Sequence, residues 1–502
     1  MRAAWMAVPL AGVVWLGACG AGDSAADCAQ GAGLCGDVDG GLLDGDVADR
    51  DAPANCDEAA DPVGEAARGC VVDAFAVFVD GEGGDDANDG TKATPLKKIA
   101  SAIAKVASTG KRRIYVCGSA TYSEHVKLTT AANLHGGFAC KTWSPDPSAR
   151  PRVAPSDKGY ALHVDNVDAV VTVSDLEFVA ANARTLKDGT SSIAVFVNRG
   201  NVTFLRTAMQ ALNGAEGGPG QSGTAGVLTA VSSGTLDLNA NPSSGATGGL
   251  YKDCTCSSST TTTRGGTGGT MSTGGGRGAP NYGSAPPNNG AAGVAVGGSC
   301  ENGGIGSRGS SAPTAANAAP PTTLGVLTAT GWEPSRGAEA PENGEPGQGG
   351  GGGGSAGATV GGGGGGCGGC GGFAGKGSGG GGGSIALLVN ESRVKVESAK
   401  LETRAGGPGG AAGAGGPGAN GGFGGAGACS GGTGGRGADG GAGAGGAGGI
   451  SIGVLYEGTA PEIDAATTIT VGAGGAGGKG GKSPDNDGPG GVAEKTKDAA
   501  QF

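Results

Sequence analysis

SIALLVN at 384–390 is the segment most informative about the fold, because it opens a unit that recurs along the chain. It is followed by RVKVE at 393–397, by KLET at 400–403, and then by a long glycine-rich tail. Each run is short and rich in Val, Ile, Leu and Thr, which suits a pleated, half-buried strand. The unit therefore predicts three short strands followed by a glycine-rich insertion.

Related units occur at other places in the chain. SIAVFVN lies at 192–198, SIGVLY at 451–456, and a more divergent copy begins with YALHV at 160–164. One unit is too small to bury its own apolar face, whereas stacked copies bury a continuous core. Equivalent strands recur in the same order, and the insertions leave after the third strand. This pattern favours the coils of a parallel β-helix over the alternative, an antiparallel sandwich of hairpins.

The composition limits where a core can form. The chain has 502 residues, of which 116 are glycine, with 4% aromatic and 16% charged residues. Ordering glycine costs much backbone entropy, and few apolar residues are left to offset that cost. We therefore expect the core to lie in the strand units, in one domain with long insertions.

The first residues have the pattern of an export signal. One arginine precedes an apolar run, and LGAC at 16–19 resembles the bacterial lipobox. The resemblance implies that 1–18 is a lipoprotein signal peptide and that Cys19 is the lipidation site. Gly20 stands where an inner-membrane lipoprotein usually has Asp, which implies anchoring in the outer membrane or at the cell surface. The alternative is an ordinary signal peptide with an unmodified cysteine.

The cysteine count agrees with export. Of the 13 cysteines, an even number remains after Cys19, as disulfides in an oxidising compartment require. Short spacings suggest three pairs: Cys28 with Cys35, Cys56 with Cys70, and Cys117 with Cys140. The sequence leaves open how the others pair: Cys254, Cys256, Cys300, Cys367, Cys370 and Cys429. Because the CxxC at 367–370 has no second CxxC, we expect disulfides there and no metal site.

Residues 19–70 are predicted to be an acidic, disordered tether. Twelve acidic and two basic residues lie between 20 and 70, so this segment carries about −10 of the formal net charge of −11. Low hydrophobicity with high charge is typical of disorder. The rest of the chain is nearly neutral and its basic residues are scattered, which excludes a nucleic-acid partner.

Residues 71–145 form a different kind of unit. An alternating strand at 75–79 is followed by a polar loop, and Pro95 is expected to open a helix. Further strands are predicted at 113–117 and 126–128. The apolar residues of the helix share one face at helical spacing; they are Leu96, Ile99, Ala100, Ile103 and Ala107.

The order VFVD, NDGT, IYVC and TYSE in this segment resembles the opening of bacterial right-handed parallel β-helix proteins related to pectate lyases, in particular the domain DUF1565. The resemblance covers about 70 residues of this chain. It implies an all-β, right-handed parallel β-helix whose N-terminal end is covered by the helix. An uncovered coil end would expose apolar side chains and strand edges.

The glycine-rich tracts differ from one another. From 431 to 449 glycine recurs at every third position, the period of an extended left-handed helix with three residues per turn. This predicts packed polyglycine-type helices for 406–449, with disorder as the alternative. Uninterrupted glycine within 340–384 loses the period, which weakens the prediction there. The tracts also resemble those of PGRS-type surface proteins.

Short apolar runs at 226–230, 293–296 and 325–329 are interpreted as degenerate strands that return to the solenoid.

The predicted organisation follows from these segments. After the signal peptide and the tether come the cap with the first coils (71–145), rungs (146–212), a Gly/Ser/Thr/Pro-rich insertion (213–384), a rung (385–404), a period-three insertion (405–449), a C-terminal rung (450–480) and a tail (481–502).

The strand units carry no recognisable catalytic constellation. Pectate-lyase-like enzymes use a basic Lys or Arg together with calcium held by clustered carboxylates. Here Asp165 and Asp168 have no matching carboxylates on later rungs, and the lysines are isolated. The candidates considered and set aside are Lys127, Lys395, Lys400, His125, His135 and His163. The sequence therefore predicts no catalytic residue and no cofactor.

Together these features predict a non-catalytic cell-surface lipoprotein with a structural or adhesive role. Its expected partners are the outer membrane, through the lipid, and surface polysaccharide or other cell-surface molecules. The alternative is a carbohydrate-binding or polysaccharide-lyase-like β-helix protein. An ice- or surface-binding array is a third hypothesis, because period-three glycine helices can present a flat face.

Overall fold

The computed structural model describes residues 53, 56–57, 60–282, 290–296, 300 and 304–502. This part of the chain is mainly β-strand, with one α-helix, α1 (Ile99–Thr109), and 3₁₀ turns at Glu65–Cys70, Ala183–Thr185 and Ala499–Gln501. Its strands are β1 (Ala76–Asp80), β2 (Arg113–Cys117), β3 (Thr121–Tyr122), β4 (Val126–Leu128), β5 (Asn133–Phe138), β6 (Arg152–Val153), β7 (Tyr160–Ser174), β8 (Glu177–Val179), β9 (Ser192–Leu205), β10 (Ala208–Gln210), β11 (Leu228–Val231), β12 (Lys252–Cys256), β13 (Thr263–Gly265), β14 (Gly325–Thr328), β15 (Gly331–Pro334), β16 (Ser384–Asn390), β17 (Arg393–Glu397), β18 (Lys400–Glu402), β19 (Ser451–Glu457), β20 (Glu462–Ile463), β21 (Thr468–Thr470) and β22 (Ala493–Asp498).

Two parallel sheets form the framework. The larger has 11 strands, with the main order β1-β2-β5-β7-β9-β16-β19-β22, and the smaller has six, in the order β21-β18-β10-β8-β6-β3. Consecutive rungs contribute to both sheets, as in β-helix-like folds. The parallel pairing rules out the antiparallel sandwich.

The repeated units stack in register. Ser384 lies between Ser192 and Ser451, and the next residue of each strand continues the same alignment. The sequence copies are thus neighbouring rungs, although Ser192 and Ser384 are 192 positions apart in the chain. The prediction that the units stack is confirmed.

Residues with a left-handed backbone conformation turn the chain at the same level of successive rungs. Asn166, Arg199 and Glu391 have φ values of 55°, 47° and 45°, and each directly follows the aligned end of its strand segment. Non-glycine residues with such φ values are uncommon, so their stacking marks a repeated corner.

A polar ladder runs along this corner. The Asn390 side-chain amide donates to Asn198 Oδ1 at 2.9 Å, and the Asn198 amide donates to Asp165 Oδ1 at 2.9 Å. Lys127 Nζ lies 2.9 Å from the other oxygen of Asp165. Because each rung supplies one member, the ladder satisfies polar groups that the stacking buries.

The central rungs are buried on both faces. Val195 and Leu387 face the interior between the sheets, whereas Phe196 and Leu388 join a second apolar cluster on the opposite face. This second cluster includes Trp332 from the β14–β15 hairpin. Double-sided burial explains why SIAVFVN and SIALLVN are nearly continuous apolar runs instead of alternating ones.

The helix α1 covers the N-terminal end of the core, but it begins later than predicted. It starts at Ile99, and the Glu124 carboxylate accepts hydrogen bonds from the backbone N–H groups of Ile99 and Ala100 at 2.9 and 3.0 Å. The Glu of the TYSE motif therefore caps the helix. Ala100 and Ala107 are exposed, and Ala102 and Val106 are buried instead.

The glycine-rich tracts form one hydrogen-bonded assembly of extended segments, here called the glycine bundle. It comprises 213–226, 335–354, 361–383, 404–428, 431–449 and 472–481. Donors recur every third residue: Gly214, Gly217, Gly220 and Gly223 donate to the carbonyls of Ala405, Pro408, Ala411 and Ala414. This is the contact pattern expected of three-residue helices lying side by side.

The segment 361–383, here called the central segment, is the most enclosed part of the bundle. Gly369 N–H donates to Gly435 O at 2.9 Å, and the Gly369 carbonyl accepts from Gly347 N–H at 2.8 Å. A Cβ on Gly369 would overlap the carbonyl of Ala419. Uninterrupted glycine runs such as 361–366 lack the strict period but still pack, because a backbone without side chains can be approached closely from all sides.

The short apolar runs in the insertion do not return to the parallel sheets as expected. β11 pairs antiparallel with β12, and β14 pairs antiparallel with β15. At 293–296, Val296 makes only an isolated bridge to Ala356. The β14–β15 hairpin instead packs across the outer face of the rungs, where Leu327 and Trp332 are buried.

Candidate functional site

The main recess of interest is a cleft of about 810 Å³ between the rungs and the β14–β15 hairpin. Its lining residues come from three parts of the chain, which meet only in the tertiary structure. They are Lys158, Gly159, Tyr160, Asp188, Gly189, Thr190, Ser191, Ile193, Thr330, Trp332, Glu333, Pro334 and Arg336.

One wall is the loop that leads into β7. His125 clasps this loop, with Nδ1 lying 2.8 Å from the Tyr160 carbonyl and Nε2 lying 3.0 Å from Asp157 Oδ1. Gly159 has φ 146°, and a Cβ there would fall 2.6 Å from the His125 ring. A side chain at 159 would therefore push the loop off the histidine.

The opposite wall is the hairpin. Tyr160 O–H donates to the carbonyl of Thr330 at 2.8 Å, which ties the hairpin to the rungs. Burial raises the pKa of Tyr160 to about 12, so its hydroxyl stays protonated as a donor. At the turn, Gly331 has φ 120°, and a Cβ there would overlap the Tyr160 hydroxyl.

Aromatic rings lie beneath and beside the cleft. The Tyr160 ring centroid is 5.0 Å from that of Phe196, which in turn stacks on His163 at 5.0 Å. Trp332 packs on Phe502 at 5.4 Å. Among the described residues, Trp332 Nε1 has no hydrogen-bond acceptor. Burial lowers the pKa of His163, which keeps this ring uncharged.

The rim carries charges of both signs. Lys158, Asp188, Glu333 and Arg336 are all exposed and line the cleft. Within the part of the chain that the structure describes, none of the four has an ion-pair partner. They are therefore available to form hydrogen bonds with a ligand.

The cysteines of the described residues are paired. Cys56 is bonded to Cys70 and Cys117 to Cys140, the two local pairs suggested by spacing. The pairs left open by the sequence are Cys254–Cys367, Cys256–Cys370 and Cys300–Cys429. Cys19, Cys28 and Cys35 lie outside the described residues. Asp80 lies near Cys117 and Cys140, but both sulfurs are held in the disulfide.

Two disulfides join a CxC pair in a strand to a CxxC pair in the glycine bundle, and each spacing matches the backbone that carries it. Residues two apart share one face of a strand, and residues three apart share one face of a three-residue helix. Cys254 and Cys256 are in strand β12, whereas Cys367 and Cys370 are in the central segment. The two spacings thus predict which kind of backbone each pair occupies, a signal that our reading of the sequence missed.

The lysines considered as bases each form a separate surface ion pair. Lys127 pairs with Asp165, as described above. Lys395 Nζ is 3.3 Å from a Glu462 oxygen, and Lys400 Nζ is 2.7 Å from a Glu402 oxygen.

The three histidines have separate surroundings. His125 clasps the cleft loop and His163 stacks on Phe196. His135 is fully buried, with Nδ1 lying 2.9 Å from Ser174 Oγ. Its burial, assisted by the positive charges of Arg113 and Arg206, lowers its pKa well below the usual range.

Comparisons with protein families, curated proteins and solved structures find no match to this chain. None of the helices in the described ranges is long and apolar enough to cross a membrane. The cleft residues Tyr160, Trp332 and Arg336 were not singled out in the sequence. Only the scarcity of tryptophan, with four in the chain, could have drawn attention to Trp332.

Proposed function

We propose that the protein is a non-catalytic cell-surface lipoprotein with a structural or adhesive role. The observation that carries the proposal is the glycine bundle, which places a large, regular, mostly uncharged surface on a cross-linked framework. A bundle held by backbone hydrogen bonds and disulfides needs few bulky side chains, so its outer side chains are free to make contacts with other surfaces.

The outer layer of the bundle supports this role. Three segments lie side by side: Gly217 N–H donates to Pro408 O at 2.9 Å, and Gly409 N–H donates to Ala476 O at 2.8 Å. Each segment has a column of exposed residues at every third position, and the residues of these columns are mainly small and apolar. The exposed columns are Glu216, Pro219, Ser222 and Ala225; Pro408, Ala411, Ala414, Pro417, Asn420, Phe423 and Ala426; and Ala473, Ala476, Lys479 and Lys482.

The proposed framework is a right-handed parallel β-helix related to the DUF1565 and pectate-lyase-like proteins. Its support is the parallel register, the stacked left-handed corners and the helix at the N-terminal end. The proposed anchor is a lipid on Cys19 in the outer membrane, followed by an acidic tether. Its support is the lipobox-like LGAC sequence.

The proposal is tested in the bacterium that produces the protein. We expect intact cells to be labelled by an antibody against the folded region and membranes to retain the protein, whereas Cys19→Ala releases it. Deleting the gene should reduce attachment of cells to one another or to surfaces. Unchanged membrane retention of Cys19→Ala would contradict the anchor. Steady turnover of a polysaccharide by the purified protein would contradict the non-catalytic role.

A further inference from the structure

The cleft between the rungs and the β14–β15 hairpin combines features of a small-molecule site. Its volume of about 810 Å³ lies within the range of about 300–1,000 Å³ that ligand sites occupy. Both walls are held in place, one by the His125 clasp and the other by the Tyr160–Thr330 hydrogen bond. A recess fixed in this way loses little further freedom when a ligand enters.

We propose that this cleft binds an uncharged, hydroxyl-rich sugar unit of a surface polysaccharide. The inference rests on the adhesive role proposed above and supplies that role with a ligand class.

The charges at the rim favour this ligand. Asp188 and Glu333 can only accept hydrogen bonds, whereas Lys158 and Arg336 can only donate them. A sugar hydroxyl both donates and accepts, so sugars can satisfy both kinds of group. The cleft rim carries two negative and two positive side chains. A strongly anionic or cationic ligand would therefore be repelled by one pair as well as attracted by the other.

The aromatic residues suit the other face of a sugar ring. A pyranose has an apolar side formed by C–H groups, which packs favourably on a flat π surface. Tyr160 is partly exposed in the cleft, and Trp332 lies 6% exposed in its wall. Phe196 packs against the Tyr160 ring and Phe502 packs against the Trp332 ring, which limits the movement of both rings.

The test uses the purified folded chain with its disulfides intact. A panel of immobilised neutral oligosaccharides, together with acidic and amino-sugar oligosaccharides, is screened first. The best neutral probe is then titrated in solution by calorimetry. Arg336→Ala and Asp188→Asn are compared with Arg308→Ala, which removes an exposed arginine outside the cleft lining.

We expect a neutral oligosaccharide to bind the wild-type protein. Each cleft variant should raise the dissociation constant at least about tenfold, which corresponds to about 1.4 kcal/mol. Arg308→Ala should bind as tightly as the wild type does. Circular dichroism checks that each variant is folded, and Lys158→Ala replaces any cleft variant that is not. Binding of acidic or amino sugars alone, equal binding by all variants, or no binding to any probe would overturn the proposal.

The adhesive role and the binding of sugar are tested by different measurements, cell attachment for the first and calorimetry for the second. Cells producing the cleft variants are compared with gene-deletion cells in the attachment assay. If the protein binds no sugar but deletion still reduces attachment, the cleft proposal fails and the adhesive role stands. If sugar binding is lost as expected but deletion leaves attachment unchanged, the adhesive role fails.

Discussion

The rung stack and the glycine bundle are held together by opposite means. The stack buries large apolar side chains, such as Phe196 and Leu387, on both faces of its central strands. The bundle buries almost no side chains at its centre, where Gly369 and its neighbours contact one another through backbone N–H and carbonyl groups. A chain poor in apolar residues can therefore still be ordered if its backbone segments approach closely enough to form hydrogen bonds with one another.

Removing disulfides is expected to have the largest effect on the bundle relative to the rung stack. Replacing Cys254, Cys256, Cys367 and Cys370 together by Ser opens a link between positions 113 and 114 residues apart. In the chain-entropy view, closing a loop of this length contributes about 5 kcal/mol. We expect hydrogen exchange followed by mass spectrometry to show lost protection in the bundle and retained protection in β9 and β16.

The same pair of disulfides supplies its own control. Replacing only Cys256 and Cys370 leaves the neighbouring bond to close almost the same loop, so the change in the free energy of unfolding should stay below about 1 kcal/mol. A loss as large as that of the fourfold variant would show that the remaining Cys254–Cys367 bond does not stabilise this loop by itself.

Leu387→Ala should weaken the stack. Leu387 is fully buried, and truncation of such a side chain costs about 2–5 kcal/mol through lost burial and a cavity. Denaturant unfolding monitored by circular dichroism measures the loss. The exposed Val170 on the same sheet is the matched control, and Val170→Ala should change stability by less than about 0.5 kcal/mol.

Gly369→Ala should weaken the bundle by adding a single methyl group. Because its Cβ would overlap the Ala419 carbonyl, two backbones must separate, and overpacking of this kind costs about 1–3 kcal/mol. Gly490→Ala is the control, since the nearest atom to its Cβ is 3.9 Å away. Equal melting temperatures for the two variants would contradict the close packing of the central segment.

The smallest expected effect is a pH dependence of the corner ladder. The hydrogen bond from Asn198 and the Lys127 ammonium lower the pKa of Asp165 below its ordinary value. A lowered folded-state pKa contributes stability above about pH 4, which is lost as the pH falls through the folded value. Asp165→Asn should remove this part of the acid dependence, about 1 kcal/mol or less, measured by denaturant unfolding between pH 2 and 6.

The fold was predictable to the extent that local pattern decides it. SIALLVN and its copies predicted stacked parallel rungs because their apolar runs have no partner within one unit. The cap was also recognisable, although Glu124 lies outside the helix whose start it stabilises. The position of the β14–β15 hairpin could not be predicted, since nothing in its four-residue strands specifies the rung face that it covers.

The candidate site was not predictable for the same reason. Tyr160, Asp188 and Arg336 belong to different segments, and each is unremarkable in its local context. Their meeting depends on where the insertion 213–384 folds back, which is a matter of long-range packing. Local sequence patterns therefore predict the framework but not the cleft.

The rungs and the period of the glycine tracts are encoded locally, because a strand and a three-residue helix each impose a repeat on the residues that form them. Long-range packing determines which cysteines pair across the bundle, places the unbroken glycine run at its centre, and brings the hairpin over the rungs to close a cleft. The disulfides and the hairpin depend on contacts between residues more than a hundred positions apart, and the place of the glycine run depends on how several segments pack around it; local patterns encode neither.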